Sequence, residues 1–311
     1  MINGLMLIDK PPIGAWTTYL QNEYEKYYYL MDINSTFDDI VGIIKEKELK
    51  YIILTIKYDN DKLESLKKLG IKIISFIGSP MRRFGFQDEK DYFINNKIDG
   101  LILQNHCTIG LYKDWIDSND IDFFYCKWGI PLDVFKNYGL KKDIDILHTG
   151  KFSNYLFRKD LHNIFCNING LTYERFRQQS SEQTYPNYTY AKKLNSSWIS
   201  IGGCCQLPHR AFYKDTLVND NFPKNFEIAG SYSCLLTFDW GDREYLDFKD
   251  NENCILFKTP KDALRKVLYY LDDKELLLKV TKNGYDLVHK NHNIINITKD
   301  LFNDIEEKYA K

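Results

Sequence analysis

The sequence has no charge imbalance, no paired cysteines and no long apolar run, and each shortage closes off a class of function. Its 42 Lys and Arg stand against 43 Asp and Glu, a net charge of −1. No excess of one sign invites a polyanion, so nucleic acid is not an expected partner. The seven cysteines, at 107, 126, 166, 204, 205, 234 and 254, are odd in number and never spaced C-x-x-C. That excludes a zinc ribbon or a disulfide framework as the organising device, and buried free thiols in a reducing compartment are expected instead. No stretch reaches the roughly 18 apolar residues that cross a bilayer. The opening "MINGLMLIDKPPIG" lacks the basic start and long apolar core of a secretory leader. There is no repeat of solenoid period and no low-complexity tract. The expectation is a cytoplasmic chain with no transmembrane segment.

What is present is an ordinary globular composition, 44% apolar and 27% charged over 311 residues, which is long enough for two cores. Short apolar runs alternate with amphipathic stretches. "GLMLID", "YYLMDI", "YIILTI", "IKIISFIG", "DGLILQ" and "DFFYC" are near-continuous in Ile, Leu and aromatics, as strands buried on both faces are. Between them, "STFDDIVGIIKEKE" offers Ser35 or Thr36 as a cap with Ile40, Val41 and Ile44 on one face. "DNDKLESLKKLG" places Leu63, Leu66 and Leu69 at helical spacing before Gly70. The alternation predicts an α/β fold with open parallel sheets.

A break at 126–145, "CKWGIPLDVFKNYGLKKDID", reads as a linker. The alternation then restarts with "DIDILHTG". It continues through helices near 155–166 and 187–195, a short strand near Asn167, "WISIGG" and "NCILFK". The helix after Thr259 is expected to bury Leu264, Val267, Leu268 and Leu271. A last segment, 298–309, is read with Thr298 as its cap. This predicts an N-terminal Rossmann-like domain over 1–135 and a second domain over 140–295, with a C-terminal helix at 296–311 packing back on the first. Open α/β sheets bind ligands outside the carboxyl ends of their strands, so the expected site is a cleft between the two.

One stretch carries the functional reading. "FPKNFEIAGSYSCLLTFD" (222–239) places a single acid, Glu227, in an otherwise apolar or small-residue run. Pro223 suits a first helical turn, Asn221 can cap it, and Ala229 and Gly230 allow close packing. A carboxylate there can accept two hydrogen bonds from a ribose diol, while free N–H groups of the turn meet phosphate. It can equally be a helix-start acid that favours the helix dipole or pairs with a lysine.

The segment "PKNFEIAGSYSCLLT" resembles the donor-binding segment of group-1 glycosyltransferases of the GT-B fold, in the branch related to spore maturation proteins. Three further stretches resemble that family in the same order: the 124–161 linker and strand, "YAKKLNSSWISIGG", and the closing "ENCILFK" to "GYDLVHKNHN". They cover roughly 120–295. The resemblance implies a GT-B enzyme moving a sugar from a UDP-, GDP- or dTDP-linked donor to a hydroxyl acceptor (glycan, protein or small molecule), without a metal or other cofactor. It implies that Glu227 holds the ribose, that Lys224 contacts the diphosphate or shapes its loop, and that Gly150 lets backbone approach phosphate. Lys151 or Arg158 would neutralise the leaving diphosphate. For Arg158 a surface ion pair is the alternative.

In the first domain, Asp9 and His106, each just after a strand, are candidates for the catalytic base, and Gly14 would face the donor phosphates. A turn acid and a loop or core histidine are the plain alternatives for the first two. "DWGD" (239–242) reads as a loop with a cap, and His289 and His292 as helix-end residues. The sequence departs from the family at Asn219, where many retaining relatives carry a second glutamate. That departure leaves open a catalytically silent nucleotide- or glycan-binding scaffold, with a sugar-nucleotide epimerase as a third reading. A homodimer is also open.

Overall fold

The computed structural model describes residues 2–8, 23–55, 58–77, 86–104, 106–150, 157–176, 188–202, 205–207, 218–220, 223–239 and 247–310. The chain divides into two compact units, Met1–Lys127 with Ile295–Lys311, and Trp128–Ile294.

The first unit is a six-stranded parallel sheet. In chain order its strands are β1 (Gly4–Ile8), β2 (Tyr29–Asp32), β3 (Tyr51–Leu54), β4 (Lys72–Ile77), β5 (Gly100–Leu103) and β6 (Asp122–Tyr125), arranged β2-β1-β3-β4-β5-β6. Helices α1 (Phe37–Glu46), α2 (Asn60–Lys68), α3 (Phe86–Asn95) and α4 (His106–Ser118) make the crossovers. Thr36 caps α1 by accepting from the Asp39 N–H, and Asp59 caps α2 from Lys62. The central strands are buried throughout, as continuous Ile/Leu runs require, whereas β2 lies at the sheet edge and is half-buried. Leu69 does not join Leu63 and Leu66 in the core. It is the C-cap of α2 and 45% exposed.

The second unit repeats the plan with five parallel strands. They are β7 (Ile144–Thr149), β8 (Tyr173–Phe176), β9 (Ser197–Ile201), β12 (Cys234–Phe238) and β13 (Ile255–Phe257), in the order β13-β12-β9-β7-β8. A small antiparallel ribbon, β10 (Cys205–Leu207) with β11 (Val218–Asp220), stands apart from this sheet. The helices are α5 (Arg158–Phe165), α6 (Tyr188–Asn195), α7 (Pro223–Gly230), α8 (Pro260–Asp272) and α9 (Lys274–Asn291). Residues 166–170 form turns, so the strand expected near Asn167 arrives only at Tyr173. Thr259 caps α8 with Pro260 in the first turn, and Ala263, Val267 and Tyr270 are its buried positions, whereas Leu268 is 44% exposed. The stretch 131–143 holds no regular element, yet Ile130, Val134 and Phe135 are buried in this unit.

The last helix, α10 (Ile294–Tyr309), starts four residues before Thr298, which is buried inside it. Ile297, Leu301 and Ile305 pack on Met6, Tyr28, Tyr51, Ile53, Ile74 and Ile102 of the first sheet. Glu306 then accepts hydrogen bonds from Asn3 and, at 2.6 Å, from the Tyr51 hydroxyl.

Candidate active site

In sequence order the strands of the second unit run 2-1-3-4-5 across the sheet, so the sense in which successive strands are laid down reverses between β7 and β9 while the strands stay parallel. That reversal is the switch point at which open parallel sheets bind ligands, beyond the carboxyl ends of their strands. β7 ends at Thr149, and Gly150 follows with φ +91, a left-handed conformation that favours glycine. The backbone turns there under two cations. A Cβ on Gly150 would meet Lys224 Nζ at 2.7 Å and Arg158 Nη1 at 3.0 Å.

Arg158 is the first residue of α5 and only 4% exposed. Phe157, just before it, sits at φ 64, unusual for so bulky a side chain, and its ring is held against Phe238 and Phe257. The guanidinium bridges the switch point, Nη1 donating to the Thr149 carbonyl and Nη2 to the Gly202 carbonyl, both at 3.3 Å. Arg158 is thus a buried structural cation and not a surface ion-pair partner. Lys224, in the first turn of α7, donates to the same Thr149 carbonyl at 3.3 Å.

Glu227 lies one turn further along α7 and completes the cluster. Burial raises its carboxyl above the ordinary range, against the pull of the Lys224 ammonium and the neighbouring Tyr190 hydroxyl. Burial lowers Lys224, helped by Arg158 and opposed by Glu227. Tyr190, on α6, stacks on Phe176 with ring centroids 5.7 Å apart, and its hydroxyl is 3.5 Å from Thr149 Oγ1. Two cations and one acid meet here, an excess of positive charge under partial cover that suits a polyanionic ligand.

On the next residue of β7, His148 is fully buried. Burial, then Arg158, Lys224, His162 and Arg175, holds its pKa down to about 2. The Tyr173 hydroxyl stands 3.1 Å from His148 Nδ1 and 2.9 Å from His162 Nδ1. One hydroxyl proton can serve only one of them, so the other ring carries its own proton on Nδ1. Neither His148 nor Tyr190 was expected from the sequence; the one signal available was a polar residue inside an apolar strand.

Of the expected donor residues, Gly150, Arg158, Lys224 and Glu227 come together. Lys151, Gly14 and Asp9 lie outside the described residues, as do Asn221 and most of "DWGD". His106 opens α4 directly after β5, and its side chain is likewise outside them. Asn219 falls on β11 opposite Gln206. His289 contacts the Gly230 carbonyl at 3.0 Å and His292 the Trp128 carbonyl at 2.8 Å, so both serve packing at the end of α9. Among the described residues no group of three His, Cys, Asp or Glu could hold a metal ion, and no helix is long and apolar enough to cross a membrane. Cys126, Cys234 and Cys254 are buried free thiols, while Cys166 is exposed. A cavity of about 430 Å³ in the first unit lies at the amino ends of β4 to β6, where Asp99 pairs with Lys67 and Lys72 and Asp122 with Lys308.

Residues 155–303, just under half of the chain, match the family described as "Glycosyl transferase-like". No curated protein matches the chain by sequence. Solved structures similar in fold include sucrose-phosphate synthase from Thermosynechococcus elongatus, with TM-score 0.67, 9% identity and 98% of each chain covered. Anabaena HepE in complex with UDP and glucose gives TM-score 0.67 at 8% identity, covering 99% of this chain and 100% of that one. A glycosyltransferase from Rickettsia africae gives 0.62 at 11%, covering 98% and 97%. The chain therefore has the GT-B fold, and residues 155–303 are similar to the glycosyl transferase-like family.

Proposed function

We propose that this protein is a nucleotide-sugar-dependent glycosyltransferase that works without a metal, and that the cluster around Gly150 is its donor site. The observation that carries the reading is the convergence of Arg158 and Lys224 on the carboxyl ends of β7 and β9, with Glu227 one turn along α7 from Lys224. The diphosphate of the donor would meet the two cations and the N–H end of α7, and Glu227 would accept from the ribose hydroxyls. As the glycosidic bond to the phosphate oxygen breaks, negative charge builds on the diphosphate. Arg158 and Lys224 stabilise that charge without having to move, which is the role a divalent cation would otherwise fill. That Anabaena HepE and a pneumococcal O-GlcNAc transferase were solved with UDP supports a uridine nucleotide as the first donor to try. The acceptor is a hydroxyl compound.

The test is incubation with a panel of UDP-, GDP- and dTDP-sugars, following nucleotide release with and without EDTA. Release from at least one donor, unchanged by EDTA, is expected. Binding with no turnover on any donor would instead point to a silent scaffold, and loss of turnover in EDTA would remove the metal-independent mechanism.

A further inference from the structure

Beyond the residues that would touch the donor, we propose that Tyr173 is a positioning residue. Its hydroxyl bridges His148 of β7 and His162 of α5, and so fixes that helix on the sheet with the Arg158 guanidinium at the Gly150 turn. The proposal rests on the donor-site reading above for what Arg158 does. Its own content is what holds Arg158 there.

The links close on themselves. From the start of α5, Arg158 donates to the Thr149 carbonyl at 3.3 Å. One helical turn further on, His162 Nδ1 stands 2.9 Å from the Tyr173 hydroxyl. That same hydroxyl stands 3.1 Å from Nδ1 of His148, the neighbour of Thr149 in the chain. Tyr173 is the register partner of Ile146, so it shares a sheet face with Ile146 and with His148 two residues along. Leu161 and Phe165 of α5 pack in one cluster with Ile146 and Tyr173. The rings reinforce the bridge. His162 lies against the phenol with centroids 5.5 Å apart, and His148 meets it edge-on at 6.4 Å.

The start of α5 shows why such a bridge matters. The helix is eight residues long, and Phe157 before it is left-handed and makes no side-chain cap. Leu161 and Phe165 bury it to the right depth, but apolar contacts are non-directional and tolerate a small slide or rotation. A hydrogen-bonded bridge is directional and resists both. Arg158 makes its two strand bonds at 3.3 Å, just past the usual range, so a small movement of α5 loosens both. The bridge also brings no charge of its own. Burial and then the surrounding cations hold His148 down to about 2, and burial with Arg175 lowers His162, so both rings are neutral near pH 7.

Two measurements on the full chain test this. First, with arginine side chains labelled by nitrogen-15 and the Arg158 signal assigned by its loss in Arg158→Lys, exchange of its Nε–H with solvent is compared in wild type and Tyr173→Phe. Phe keeps the ring and removes the hydroxyl alone. Exchange is expected to be faster in Tyr173→Phe, and an unchanged rate overturns the proposal. Second, affinity is measured for whichever of UDP, GDP and dTDP binds most tightly, and for its nucleoside, which lacks the diphosphate. Tyr173→Phe is expected to bind the diphosphate roughly three- to tenfold more weakly and the nucleoside as well as wild type does. Equal loss of both would mean general loosening and overturns the positioning role. His162→Phe cuts the same bridge from the helix side, and the double variant is expected to lose no more than either single one. Additive losses overturn the shared bridge. If Arg158→Lys weakens diphosphate binding and Tyr173→Phe does not, the donor-site reading survives and the role of Tyr173 fails. If Arg158→Lys leaves binding unchanged, or none of the three nucleotides binds, the donor-site reading fails and takes the positioning role with it.

Discussion

His148 occupies the penultimate position of β7, a polar ring in a strand otherwise built to be covered on both sides. In the unfolded chain its ring titrates near the ordinary ~6.5, whereas the folded value is held down to about 2 by burial and the neighbouring cations. The unfolded state therefore binds a proton that the native state refuses throughout that interval, so the stabilisation is complete above pH ~6.5 and erodes as pH falls. His148→Asn keeps a polar atom toward Tyr173 without the titration. Thermal unfolding from pH 7.5 to 5 is expected to show a smaller loss of Tm in the variant than in wild type, and equal losses would show that His148 does not set the slope. At this scale the sequence was a partial guide. Glu227 was readable because it interrupts an apolar run, and Gly150 because it ends a strand. The partners of Glu227 were not, since Tyr190 lies 37 residues upstream in the chain and only the packing of α6 against Phe176 brings it near.

Among the elements, α7 and α9 pack closely because glycine stands where they meet their neighbours. A Cβ on Gly230 would come within 2.4 Å of Ile130 Cδ1, and one on Gly284 within 2.4 Å of the Asn253 carbonyl oxygen. In an exposed helix alanine would be favoured over glycine by about 1 kcal/mol. Gly284→Ala is nonetheless expected to destabilise by about 1–3 kcal/mol, because a backbone carbonyl cannot rotate out of the way. Chemical denaturation measures this, and a neutral or stabilising result would show that the Asn253 turn yields easily. The parallel strands were legible as Ile/Leu runs, and so were the caps at Thr36 and Thr259, where a hydroxyl precedes the helical pattern. Element ends were less so. Leu69 and Leu268 fit the helical period but face solvent, since a period fixes spacing and not which side is covered. Thr298 looked like a cap, yet α10 begins at Ile294, whose N–H bonds the Ile130 carbonyl at 3.1 Å. That tie lies 164 residues away in the chain and has no local signature.

At the scale of the molecule, the first unit is assembled from both ends of the chain: Met1–Lys127 supply the sheet and Ile295–Lys311 the helix that covers one of its faces. Removing residues 295–311 would expose Tyr51, Ile53, Ile74 and Ile102 and strip Glu306 from Tyr51 and Asn3. Such a truncation is expected to lose the thermal transition of the first unit, followed by near-ultraviolet circular dichroism, while the second unit, with a core cluster built from its own strands and helices, still unfolds cooperatively. Retention of both transitions would mean that α10 is dispensable for the sheet. The same arrangement orders events during synthesis. A ribosome releases six strands early, but their uncovered face stays sticky until the whole intervening lobe has been translated and residues 295–311 emerge. For that interval the nascent chain needs shelter from its neighbours, so expression yield will depend on chaperone supply and on how fast the codons up to residue 311 are read.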